Sequence, residues 1–160
     1  MLVRWSDQNN FNNFTPSVSS TSGENILTDG TEIVGAVRSR NAVNIWTDNS
    51  LWLMTFTGPP FVFSFQQGGT NCGLIGQNAA LEVDGAAYWM SENGFFKYSG
   101  NLETMQCLVE DFVYENLNTT ATQLINVGLN NLFGEITWFY CTSGSTVVDR
   151  MVTYNYLDSS

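Results

Sequence analysis

The sequence predicts an all-β protein, and three observations carry the prediction. Aromatic residues fill 14% of the 160 positions and hydrophobic residues 43%, while charged residues fill only 12%. Flat and branched side chains pack well on a pleated surface, and the scarcity of Lys, Ala and Glu leaves few strong helix formers. Asn (18), Thr (16) and Ser (14) make up 30% of the chain, so its surface is wet but weakly ionic. Lastly, one local pattern recurs: strand, aromatic, small polar residue, acid, turn residue, strand. It reads Val3-Arg4-Trp5-Ser6-Asp7, then Asn44-Ile45-Trp46-Thr47-Asp48, then Tyr88-Trp89-Met90-Ser91-Glu92, with a looser copy at Ile136-Thr137-Trp138-Phe139-Tyr140. Trp5, Trp46, Trp89 and Trp138 are spaced by 41, 43 and 49 residues, the length of a four-stranded propeller blade. The expected architecture is a set of antiparallel meander blades of a β-propeller, three to four repeats in one β-rich segment over 1–160 that is part of a larger protein.

Taken in order, the chain opens in strand-like sequence at Leu2 to Trp5, and the polar run from Ser17 to Asn25 reads as loop. Glu32 to Arg38 reads as strand. Asn44 to Thr47 and Leu51 to Phe56, with Trp52 in the second, form a hairpin about Asp48-Asn49-Ser50, residues that tolerate positive φ. Gly58-Pro59-Pro60 forces a bend. The glycines around Gly68-Gly69-Thr70-Asn71-Cys72-Gly73 mark a sharp turn or a close backbone approach. Leu81 to Val83, Ala87 to Trp89 and Phe95 to Tyr98 form a three-strand meander, turned at Asp84-Gly85 and at Glu92-Asn93-Gly94. One segment breaks the β pattern: Val109, Phe112, Val113 and Leu117 share a helical face behind the first-turn acids Glu110 and Asp111, which predicts one short helix near 108–117.

Composition removes several functions. The chain has no histidine, so Ser-His-Asp and Cys-His catalysis and the common His-containing zinc sites are excluded. Five dispersed basic residues (Arg4, Arg38, Arg40, Lys97, Arg150) against fifteen acids give a net charge of −10, which repels rather than captures nucleic acid. Cys72, Cys107 and Cys141 are odd in number and widely spaced, so they read as small buried hydrophobes. No apolar run reaches the ~18 residues of a membrane-spanning helix, and the opening residues do not resemble a secretory signal.

The residues that could carry chemistry each have a plainer reading. Glu24, Asp29, Glu32, Asp48, Asp84, Glu92, Glu110, Asp111 and Glu115 are the pool from which a glycosidase pair would be drawn, but the turn and helix-start positions of most favour structural roles. Asp29-Gly30-Thr31-Glu32 lacks the alternating oxygen ligands of a calcium loop. Cys72 has no neighbouring cation to activate its thiol. The expectation is therefore no enzyme, no catalytic residue, no cofactor and no metal. The residues that do the work are the packing anchors Trp5, Trp46, Trp52, Trp89 and Trp138 and the turns at Asp48, Asn49, Asp84, Gly85, Asn93 and Gly94.

A family resemblance rests on Trp5-Ser6-Asp7 with Asn10-Phe11, Thr28-Asp29-Gly30 with Ile33-Val34, Ile45-Trp46-Thr47-Asp48 with Leu51-Trp52, Phe56-Thr57-Gly58-Pro59-Pro60-Phe61, Asn71-Cys72-Gly73-Leu74-Ile75-Gly76, Val83-Asp84-Gly85 and Tyr88-Trp89-Met90. These segments resemble the β-propeller-bearing tail tubular or nozzle proteins of short-tailed bacteriophages. The resemblance implies a virion tail protein made in the host bacterial cytoplasm. It further implies a homo-oligomer, a hexameric ring that meets adaptor and tail fibre or needle proteins and lets viral DNA pass through its lumen without specific binding. Such proteins are several times longer than this chain. The alternative from another class is a carbohydrate-binding β-propeller module of a phage or secreted protein, which requires exposed Trp or Tyr platforms.

Overall fold

The computed structural model describes residues 1–158. Its regular structure is mostly strand, in four antiparallel sheets. Sheet I pairs β1 (Leu2–Trp5) with β2 (Gly23–Ile26). Sheet II runs β3 (Ile33–Arg38), β4 (Val43–Thr47), β5 (Ser50–Gly58), β6 (Val62–Thr70), and sheet III runs β7 (Ala80–Val83), β8 (Ala86–Ser91), β9 (Gly94–Tyr98), β10 (Leu102–Thr104). Sheet IV holds β11 (Asn126–Asn130), β12 (Glu135–Tyr140) and β13 (Arg150–Asn155). Neighbours in each sheet are neighbours in sequence, so sheets II, III and IV are meanders, while β1 and β2 are joined by the long segment 6–22 and β12 and β13 by 141–149. No closed propeller is identified among the described residues.

The turns use different chemistry. Asp84 and Gly85 both take left-handed backbone (φ 54° and 87°), the geometry that joins twisted strands with two residues. At Glu92-Asn93-Gly94 only Gly94 is left-handed, and at Asp48-Asn49 neither residue is. That corrects the expectation that asparagine supplies positive φ there. The Thr47 hydroxyl closes the second turn instead, accepting from the amides of Asn49 (3.1 Å) and Ser50 (2.7 Å).

Alternation along the strands sends successive side chains to opposite faces, and this decides what each tryptophan buries. Ile45 faces Trp52 across β4 and β5, and the pair packs with Leu27 toward sheet I. Trp89 faces Phe96 across β8 and β9 and lies 5.3 Å from Trp46. Trp138 faces Val152 and meets Phe95 of sheet III at 5.0 Å. The structural equivalents are thus Ile45/Trp52, Trp89/Phe96 and Trp138/Val152, each turned to the preceding sheet. Trp46 is one residue nearer its turn than Trp89 and so matches Met90, facing the following sheet.

Three other expectations change. Trp5 is not an interior anchor like the others: it lies half-buried in a two-stranded sheet, packed on Phe63 and Phe65 and over Gly23. The polar stretch expected to loop through Asn25 ends instead in β2, held by the main-chain ladder to β1 and by the Arg4–Glu24 pair at 3.0 Å. The helix, α1 (Glu110–Glu115), is present with Glu110 and Asp111 in its first turn. At six residues it spans less than two turns, so it docks by one end. Val113 and Leu117 are buried and the Tyr114 hydroxyl donates to the Ser91 carbonyl at 2.6 Å, while Val109 and Phe112 stay in solvent.

Candidate functional site

The first strands of the three larger sheets lie side by side, β3 against β7 and β7 against β11. Asn78 and Asn126 bridge in parallel where β7 and β11 begin. Because strands alternate direction within a meander, the segments entering these first strands share one end of the molecule with the β4–β5 and β8–β9 turns. Glu32, Asp48 and Glu92 meet at that end. They line a cleft of about 370 Å³ with Leu74, Gly76 and Thr122, and no Lys or Arg borders it. Glycines make the close approach possible: a Cβ on Gly76 would strike the Thr122 carbonyl, and one on Gly73 the backbone of Asp48.

Hydrogen bonding assigns most of these acids to holding loops. Asp48 accepts from the Thr31 amide (2.7 Å), the Thr31 hydroxyl (2.6 Å) and the Glu32 amide (3.3 Å). The Thr31 hydroxyl is the main cause holding its carboxyl below the ordinary range, against a smaller opposing effect of burial. Asp149 is held low in the same way by the Thr142 hydroxyl, and Asp7 by the Asn9 amide. Asp29 is the hub of a second knot, accepting from Asn49 (2.7 Å), Gln67 (2.7 Å) and Thr70 (3.0 Å). Composition offered no sign of that hub, since its three donors come from β6 and the β4–β5 turn. The Glu32 and Glu92 carboxylates accept no hydrogen bond among the described residues, although the Glu32 carbonyl accepts from the Asp48 amide at 3.2 Å.

Held below the ordinary range, the Asp48 carboxyl is an acceptor only and cannot protonate a leaving group at neutral pH. Asp48 is therefore a loop clasp rather than the acid of a hydrolytic pair. Asp84 lies in the β7–β8 turn at the opposite end, away from Glu92, so the candidate acids are not gathered in one place. Among the described residues no three Cys, Asp or Glu side chains converge as metal ligands. The Asp29 carboxylate of the faint calcium motif is taken up by amide and hydroxyl donors.

Cys72, Cys141 and the indoles of Trp46, Trp52, Trp89 and Trp138 are interior groups, whereas Cys107, expected to be buried as well, is half-buried like Trp5. Cys72 is buried, and desolvation pushes its thiol up to about 11; a thiol this hard to ionise is a poor nucleophile. Trp46, Trp89 and Trp138 are at most 1% exposed, and Trp52 9%. Trp89 donates to the Cys72 carbonyl (2.7 Å), Trp138 to the Ala79 carbonyl (2.9 Å) and Trp52 to the Ser50 hydroxyl (2.9 Å). The Trp46 indole N–H has no acceptor among the described residues. An apolar hollow of about 310 Å³ between sheets III and IV is bordered by Phe95, Met105, Cys107, Leu108, Trp138 and Val152. Among the described residues no helix is long and apolar enough to cross a membrane. No protein-family model matches the chain, and no curated protein matches it.

Proposed function

We propose that this chain is a non-enzymatic structural component of a bacteriophage virion tail, of the nozzle or tail-tube kind. In this reading several copies form a conduit for genome ejection. The observation that carries it is the lateral order of β3, β7 and β11, each of which leads into its own meander. Blades around an axis are built this way, so we read sheets II, III and IV as blades of a β-propeller. The motif resemblance supplies the tail assignment, with a homo-oligomeric, hexameric ring joined to adaptor and tail fibre or needle proteins.

The charge distribution supports the conduit. A chain of net charge −10 with an acidic cleft at the converging strand ends repels phosphate, so DNA slides past without being held. The burial of Trp46, Trp52, Trp89 and Trp138 leaves them no open ring face for a sugar, which weighs against the carbohydrate-binding alternative. Electron microscopy of the assembled chain tests the reading: a ring with Glu32 and Glu92 facing its channel supports it, and a ring with both on its outer wall overturns the sliding role.

A further inference from the structure

At the end of the molecule opposite the acidic cleft, the β3–β4, β7–β8 and β9–β10 turns border a second cleft, of about 340 Å³, between sheets II and III. Its polar lining is Ser39, Arg40, Asn41, Asn44, Tyr98 and Ser99, and no Asp or Glu borders it. A backbone bond from the Ser39 amide to the Ala42 carbonyl (2.8 Å) closes the turn that presents Arg40 and Asn41. Gly85 and Gly100 leave the mouth open, with free space where a Cβ would stand. Arg40 is exposed and forms no ion pair among the described residues.

Asn44 is the informative residue. It lies on β4 two positions from Trp46 and so shares that ring's face toward sheet III, where it is only 3% exposed. Buried amides are normally hydrogen-bonded. The Asn44 side chain has no hydrogen-bond partner among the described residues, yet it is not sealed in as the Trp46 indole N–H is, and it opens on the cleft. A stranded amide costs stability. Its cross-strand neighbours, Val37 on β3 and Leu53 on β5, are apolar, so a hydrophobic residue would suit the fold better here. The amide therefore serves something other than packing.

We propose that this cleft is a binding site for a sugar acid, a polyhydroxylated molecule that carries one carboxylate. The lining selects it. The guanidinium of Arg40 offers the planar fork of donors that holds a carboxylate by two bonds, and a neutral sugar leaves that fork unused. A bare oxyanion such as phosphate accepts only, and so leaves the carbonyl oxygens of Asn41 and Asn44 idle; sugar hydroxyls donate to those oxygens and accept from the amides and hydroxyls around them. One guanidinium in a chain of net charge −10 favours a single negative charge over two. The site contains no tryptophan, so the burial of the indoles does not bear on it. It goes beyond the tail assignment and does not rest on it, since the cleft lies within one chain.

Titration of the full chain with sodium glucuronate, followed by nuclear magnetic resonance, tests the site. In the wild type the side-chain amide signals of Asn44 and Asn41 are expected to shift, with glucose and inorganic phosphate at equal sodium concentration binding at least ~10-fold more weakly. Arg40→Gln is expected to raise the glucuronate dissociation constant at least ~10-fold. Arg38→Gln makes the same change of charge on a residue that does not border the cleft, and leaves binding unchanged. Asn44→Leu is expected to lose binding while melting no lower than the wild type, a combination that a purely structural amide would not give. The wild-type shifts do not depend on any variant folding. Asn44 and Asn41 amides that ignore glucuronate overturn the proposal, as do glucose or phosphate binding equally well, equal weakening by Arg40→Gln and Arg38→Gln, or an Asn44→Leu variant that keeps wild-type affinity.

Discussion

The indole N–H of Trp89 donates to the carbonyl of Cys72 at 2.7 Å, pinning the central strand of sheet III to the segment that leaves sheet II. Trp138 of sheet IV donates to the carbonyl of Ala79, the residue that leads into β7 of sheet III, at 2.9 Å. Trp46 makes none, because its position is offset by one residue relative to its turn and its ring points the other way, into the seam it shares with Trp89. The seams are thus fastened by indoles at equivalent strand positions, and Trp46 fills space beside one of them.

That difference predicts unequal costs for the same change. Trp89→Phe leaves a buried carbonyl without its indole donor and is expected to lose about 1–3 kcal/mol beyond the effect of ring size. Trp46→Phe removes a donor that has no partner and so is expected to cost at least about 1 kcal/mol less. Urea unfolding midpoints of the two variants compare them directly. Equal losses would show that indole size, not hydrogen bonding, sets the contribution of both residues.

Val62 holds left-handed backbone at φ 61° beside the tip of the β5–β6 hairpin. A β-branched side chain in this region is strained by about 1–2 kcal/mol, while asparagine tolerates it. Val62→Asn is therefore expected to raise stability by about 1 kcal/mol. A lower melting temperature would mean that the packing of Val62 outweighs its backbone strain.

Gly73 lies where any Cβ would collide with the Asp48 backbone, not with a flexible side-chain end. Gly73→Ala is expected to destabilise by about 1–3 kcal/mol, the range of forced overpacking. It should also loosen the Asp48–Thr31 clasp, read as faster amide exchange at Thr31. A variant as stable as wild type would show that the two segments part without cost.

The clasps also set a dependence on pH. Asp48 is ionised more readily in the folded chain than in the unfolded one, chiefly because of the Thr31 hydroxyl. A lowered folded pKa gives a contribution that is complete above the ordinary carboxylate value of about 4 and is lost as pH falls through the folded value. Asp48→Asn is accordingly expected to be less stable than wild type near neutrality, with the gap closing below about pH 4. A gap that widens on acidification would reverse the sign of this coupling.

Much of the fold was legible in the sequence because turns carry local chemistry. Asp84-Gly85 closes β7 and β8 with the backbone its residues favour, and the strands on either side follow from their apolar runs. The tryptophan repeat was legible as a repeat but not in register. Trp46 is one residue from the pair that closes its turn and Trp89 two, and with a side-chain period of two that offset exchanges the faces. Trp5 shares the local motif yet stands in a sheet of two strands, a difference made by distant residues. The Asp29 hub and the convergence of Glu32, Asp48 and Glu92 were not legible, since they depend on how successive sheets sit against one another.

Antibody labelling of tailed phage particles from the source of this chain, viewed by electron microscopy, tests the tail assignment most directly. The assignment predicts label confined to the tail below the capsid, on a ring around the path of the DNA. Particles that carry no label, with the chain recovered only free of virions, would contradict it.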